Sequence, residues 1–239
     1  MGNKHKQFNA LALRLTLVMS ILFPSVNNIG QSQATSLINQ STTEPDSIWV
    51  VVNKQLPLNP INYIPVDLVA PKFSTLNANP YGRKLRKEAS TASYKMAMAM
   101  KVAGKGSLII QSAYRSYAEQ SIIHDRQVEK YGLKVGEALA ARPGYSEHQT
   151  GWAMDVSARG QGCQIRVCFG QTKAGRWLAA NAWKFGFIIR YPQNASPYTG
   201  YQYEPWHLRY VGIGLAMVMH DDGVHVLEKS FGLPAAPNY

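Results

Sequence analysis

Five short strand-like runs constrain this chain most: 48–52 (IWVVV), 108–113 (LIIQSA), 153–156 (AMDV), 187–190 (FIIR) and 207–211 (HLRYV). Each has the length of an ordinary strand, and helical segments separate several of them. Leu85, Ala89, Ala92, Met96, Ala99 and Ala103 recur at spacings of four and three, which predicts a helix over 85–103 stopped by Gly104 and Gly106. Ser116 and Glu119 have the spacing of a capping box, so a second helix should run from Tyr117 to near Gly132. A third is expected over 172–185 with Gly186 as its stop, and a short one over 224–230. Pro57, Pro60, Pro65 and Pro71 keep the intervening stretch out of regular helix. With no internal repeat, this order predicts a single α+β domain with a central antiparallel sheet flanked by helices.

The first 34 residues read as a signal peptide. Lys4, Lys6 and Arg14 accompany the apolar run 15–23 (LTLVMSILF), and Ser32-Gln33-Ala34 offers a small-x-small cleavage site. The run falls short of the roughly 20 residues that span a bilayer. Export to the periplasm, cell wall or extracellular space is therefore expected, and an uncleaved leader would instead tether the protein to a membrane. Residues 35–47 are mostly polar and read as a linker, leaving 48–239 as the domain, expected to be a monomer.

The formal charge of +11 falls to +8 beyond position 34, where 22 of the 25 Lys and Arg and all 14 Asp and Glu lie. The longest basic block, 83–87 (RKLRK), falls on the first predicted helix and reads as a solvated face. No nucleic-acid partner is called for; an anionic wall polymer suits the charge better. Cys163 and Cys168 lie in a Gly-containing loop, 159–170 (RGQGCQIRVCFG). In an oxidising compartment they could close a small hairpin with a disulfide, and two free thiols are the alternative.

Reactive side chains concentrate in 112–116, 146–155 and 204–207. Hydrolytic zinc commonly takes three ligands from His, Asp and Glu and leaves a fourth position for water. His148, Asp155 and His207 could supply that set. Seven residues separate His148 from Asp155, which would put them on opposite faces of one unbroken strand. Gly151 allows a turn between them, with His148 in a loop and Asp155 on the strand. Pro205 keeps Glu204 out of helical geometry, so an extended approach to His207 is expected, with Glu204 beside the metal as a proton acceptor. His5 lies in the leader and His124 on a helix with solvated neighbours. His220 and His225, around Asp221-Asp222, read as part of a polar turn. Singly, each residue has an ordinary structural explanation.

Two ordered motifs add specificity. Ser146-x-His148-x-x-Gly151-x-Ala153-x-Asp155, followed by Glu204-x-Trp206-His207, resembles the signatures of VanY-type D-alanyl-D-alanine carboxypeptidases. These zinc peptidases are related to VanX-like dipeptidases, lysostaphin-type endopeptidases and Hedgehog-like domains. The resemblance takes in Tyr114-Arg115-Ser116 with Gln120, and Val52-Asn53-Lys54 with Pro57-Leu58, and so covers about 48–211.

The resemblance implies a Hedgehog/DD-peptidase-like domain holding one Zn2+ on His148, Asp155 and His207. It implies Glu204 as catalytic base, and Arg115 steadying the scissile carbonyl oxygen or the terminal carboxylate. Gln120 and Ser146 match positions lining the substrate pocket, and Trp206 fits as a pocket wall or a buried structural residue. The implied reaction removes a terminal D-alanine from a peptidoglycan stem peptide, with D,D- or L,D-specificity. An endopeptidase of the same chemistry is one alternative. A non-catalytic zinc-bearing wall-binding module is another, although such a module has no need of Glu204. The Cys163/Cys168 loop is not part of the signature.

Overall fold

The computed structural model describes residues 41–73 and 84–239. The expected signal peptide and the first part of the linker lie outside the described residues. Four of the five runs pair as strands: β3 (Leu108–Ser112), β4 (Ala153–Ala158), β5 (Phe187–Ile189) and β6 (His207–Tyr210). They form one antiparallel sheet in the order β3-β4-β6-β5. A two-stranded ribbon, β1 (Leu68–Val69) with β2 (Leu85–Arg86), stands apart from it. Every residue of β4 is buried, as expected for the strand between two neighbours beneath a helix layer.

The helices are α1 (Lys87–Val102), α2 (Tyr117–Tyr131), α3 (Leu133–Leu139), α4 (Lys173–Asn181), α5 (Ser196–Thr199), α6 (Ile213–Asp221) and α7 (Leu227–Ser230). Ser116 caps α2 as expected: its hydroxyl accepts from Glu119 N, and the Glu119 carboxylate accepts from Ser116 N at 2.7 Å. Met96 and Met100 of α1 join Ile110, Met154, Leu178 and Phe187 in the main core.

Three expectations need correction. The run 48–52 is not a strand. Val50 and Val52 face the main core while Trp49 and Val51 face a second apolar cluster with Val211 and Leu215, so the alternation is real. No neighbouring strand takes up its carbonyls; Arg209 Nη2 donates to Ile48 O and Val50 O, both at 2.9 Å. A guanidinium replaces the ladder.

The first helix begins at Lys87, because Leu85 and Arg86 pair with β1 instead. Its buried stripe runs through Ala89, Ser93, Met96, Ala97 and Met100, leaving Ala92 and Ala99 half-buried. Placing Met96 and Met100, one turn apart, in the core outweighs burying Ala92 and Ala99. Arg86 is likewise buried, not solvated. Its Nε donates to Asp67 at 2.7 Å, its Nη2 to Asp46 at 3.1 Å, and its guanidinium lies 4.7 Å from the Trp152 ring centre.

Candidate metal centre and active-site cleft

Asp155 and His207 are directly opposed partners on β4 and β6, so their side chains share one face of the sheet. The β3–β4 register breaks between Ile110 and Ser112, and Ser112 pairs with Asp155. This irregularity sits beside the carboxylate, where bulges commonly re-aim side chains. His148 arrives from a 3-10 turn, Glu147–Thr150, which Gly151 ends at φ 72°. A Cβ on Gly151 would lie 2.9 Å from Arg86 Cγ and Leu68 Cδ2 as well as forcing left-handed backbone. That glycine turn is how the odd spacing of seven is reconciled with a shared site.

His148 Nε2 lies 3.3 Å from Asp155 Oδ2, and His207 Nδ1 lies 3.3 Å from Asp155 Oδ1. One ligand atom from each residue fits within 4.8 Å of the others, and no other such group of metal-ligating residues occurs among the described residues. The His148 Nδ1 sits 2.7 Å from Ala113 O. Because a carbonyl only accepts, Nδ1 carries the proton and Nε2 presents a lone pair to the cluster. His148 Nε2 and Asp155 Oδ1 are buried without hydrogen-bond partners. Orphaned buried acceptors converging on one point are a costly arrangement that a cation resolves, so the donor set fits a metal ion.

The electrostatics agree. Burial, helped by the nearby Arg115, lowers His148 to about 4, keeping it neutral as a ligand must be. For His207, burial opposes charge, but the neighbouring carboxylates of Asp155 and Glu147 outweigh it and raise the ring to about 9. The surroundings of His207 therefore favour positive charge. Burial would raise Asp155, yet the two histidines hold it well below the usual carboxylate range.

Sequence reasoning missed what lies behind His207. Glu147 is fully buried, and its Oε2 is 3.4 Å from His207 Nε2. That contact leaves Nδ1 as the atom turned to the cluster. Glu147 Oε1 accepts from Arg190 Nε at 2.7 Å and from Arg209 Nη1 at 2.9 Å. Arg190 also forks onto Glu228, at 3.0 and 2.6 Å, and Asn53 Nδ2 donates to Glu228 at 3.1 Å. Burial alone would raise the Glu147 carboxyl; the two arginines hold it far below its ordinary value. The available signal was an arginine inside each of two apolar runs, FIIR and HLRYV.

Glu204 enters differently from the extended approach expected. His207 N donates to Glu204 O at 3.1 Å, closing a β-turn whose second residue is Pro205, the position proline favours. Glu204 Oε2 consequently reaches 3.6 Å from His207 Nδ1. Burial, with the negative charge of Asp155 nearby, pushes its carboxyl up to about 7. Arg115 follows β3 and faces the same cleft. Its Nη1 donates to Gln120 Oε1 at 2.8 Å, its Nη2 is 3.5 Å from Asp155, and its buried Nε has no hydrogen-bond partner. Gln120 is anchored in turn through Nε2 to Ala141 O at 2.7 Å. Ser146 and Trp206 line the same cavity of about 550 Å³, and Trp206 also packs against the main core. Of the other described histidines, His124 has its Nε2 3.9 Å from Glu137, and His220, on α6 and not in a turn, stacks on Trp183; His5 lies outside the described residues.

Residues 82–213, just over half the chain, match the VanY family, described as D-alanyl-D-alanine carboxypeptidase. The chain belongs to that family. YodJ of Bacillus subtilis is 44% identical over 193 residues, covering 80% of this chain and 70% of that protein. The solved structure of the LdcB LD-carboxypeptidase superposes with a TM-score of 0.73 at 45% identity, covering 79% of this chain and 87% of that one. A vancomycin-resistance VanY D,D-pentapeptidase in complex with Zn(II) superposes at 0.59 with 31% identity, over 76% and 97% of the two chains. The fold of this VanY-family chain is thus the mixed α+β domain expected from its runs.

Proposed function

We propose that this protein is a zinc carboxypeptidase that removes the terminal D-alanine from peptidoglycan stem peptides outside the cytoplasm. The observation carrying this reading is the convergence of His148, Asp155 and His207, with two unpartnered buried acceptors, in a cleft that also holds Glu204 and Arg115. His148, Asp155 and His207 would hold the zinc ion, which would supply Lewis acidity and make a water easier to deprotonate. Glu204, raised to about 7, is matched to accept a proton from attacking water near neutrality and to return it to the departing amine. Arg115 has an unused Nε donor for the oxygen that gains charge, and Gln120 holds its guanidinium in place. Gln120 is thus a positioning residue.

Between the two stereochemical readings, the greater likeness to the LdcB LD-carboxypeptidase favours an L,D cut, which shortens a tetrapeptide stem. The disulfide joining Cys163 to Cys168 supports an oxidising location and export by the 1–34 leader.

Purified protein, chelated protein and chelated protein restored with zinc should be incubated with tetrapeptide and pentapeptide stems and followed by mass spectrometry. Loss of one alanine, abolished by chelation and restored by zinc, is expected, faster on the tetrapeptide. No release from either stem by zinc-loaded protein would overturn the reading. Arg115→Lys keeps the charge but not the planar fork, and should lower kcat by about 10²–10³, the cost of one oxyanion donor. A rise confined to KM would assign Arg115 to ground-state recognition of the terminal carboxylate.

A further inference from the structure

Ile165 stands out in backbone and in place. Its φ is 50°, left-handed geometry that β-branched residues rarely adopt, and Cys163 nearby is at 57°. Strain of this kind persists only where the surroundings impose it, and it concentrates at functional sites. Here the surroundings are explicit. The Cys163–Cys168 bond closes the loop, and Gln161 fixes its base by donating to Lys105 O and accepting from Ala174 N. Phe169, fully buried, roots its far end in the core. Gly170 then presses against the segment carrying the base: a Cβ there would lie 2.6 Å from Tyr203 Oη and 3.3 Å from Pro205 Cβ.

The strain is not repaid by burial, since Ile165 remains 42% exposed. What it does is line the catalytic cavity, together with Ile123 and Leu139 of α2 and α3. One apolar wall therefore belongs to the helices and another to the cross-linked loop beside Glu204. We propose that Ile165 is a specificity-determining residue, held by the disulfide loop so that its side chain packs on the aliphatic part of the peptide residue preceding the scissile bond. The inference rests on the carboxypeptidase reading and adds the class of side chain selected: long and aliphatic at its stem.

The test uses peptides that share a C-terminal D-alanine and carry lysine, alanine or glycine before it. Wild-type kcat/KM should follow that order. Ile165→Asn suits left-handed backbone, so Tm should stay at or above the wild-type value while kcat/KM on the lysine peptide falls about tenfold through KM. The glycine peptide should change by less than about twofold. The Cys163→Ser, Cys168→Ser double variant should show the same loss, and adding Ile165→Asn to it should cost little more. Binding of the lysine peptide to Glu204→Gln protein, with and without Ile165→Asn, reads affinity independently of turnover. Equal affinities, or an unchanged lysine-over-glycine preference, would overturn this inference; absence of turnover by the wild type would overturn the carboxypeptidase reading instead.

Discussion

Glu204→Gln is expected to purify with a full complement of zinc and to hydrolyse stem peptides about 10²–10⁴-fold more slowly than the wild type, the usual contribution of a positioned proton-transfer group. The substitution is isosteric and preserves the turn closed by His207 N and Glu204 O, because that bond uses only backbone. What it removes is a carboxylate whose burial brings it to about 7, the value at which a base is both available and strong enough near neutral pH. Glu204 is not in the converging group of candidate ligands, His148, Asp155 and His207. His148→Ala, Asp155→Ala and His207→Ala should therefore lose metal and activity together. Metal analysis of all four variants separates the roles, and zinc-free Glu204→Gln protein would place Glu204 among the ligands.

Arg190→Met should be the most destabilising single change outside the ligand set. It strips donors from two carboxylates at once, and Arg190, Glu147 and Glu228 are each wholly inaccessible to solvent. Breaking a buried pair by removing one partner costs about 3–5 kcal/mol, far more than the pair contributes over a hydrophobic substitute. In a chain of this size that corresponds to a fall in Tm of about 6–20 °C. Asp221→Asn is the matched control, since its pair with His220 lies in solvent and should be worth less than about 1 kcal/mol. The Glu228 carboxyl is held below its ordinary value of 4.5 because Arg190 outweighs burial. Its contribution is therefore full above that value and is lost on acidification through the lower, folded value. Thermal melts of both variants at neutral pH decide the matter; equal Tm values would show that the network does not bear on stability.

The sequence disclosed most of what local chemistry determines. Ser116 and Glu119 specify a helix start within four residues, so α2 falls where expected; α4 starts where expected but ends at Asn181, and a 3-10 turn over Ala182–Phe185 fills the rest of the expected helix up to Gly186. The convergence of His148, Asp155 and His207 was legible because two ordered motifs resemble those of a known family and Gly151 could be recognised as a turn. The unread parts depend on partners distant in the chain. Residues 48–52 have the composition of a strand, but whether a strand forms depends on a neighbour, and Arg209 occupies that place from 159 positions away. The α6 segment is apolar nearly all round, leaving no period to read. Glu147 adjoins a ligand in sequence, yet its meaning resides in arginines 43 and 62 residues downstream.

The buried charges behind His207 also impose an order in time. Asn53 and Glu228 meet across 175 positions, a long-range contact of the kind that slows folding. All three candidate ligands lie at or before residue 207, but the arginine clamp on Glu147 lacks its second anchor until α7 docks. A chain that folds from its N-terminus would thus acquire its scaffold well before its centre is set. Lesions in the last dozen residues should then behave as slow maturation of the site rather than as surface damage.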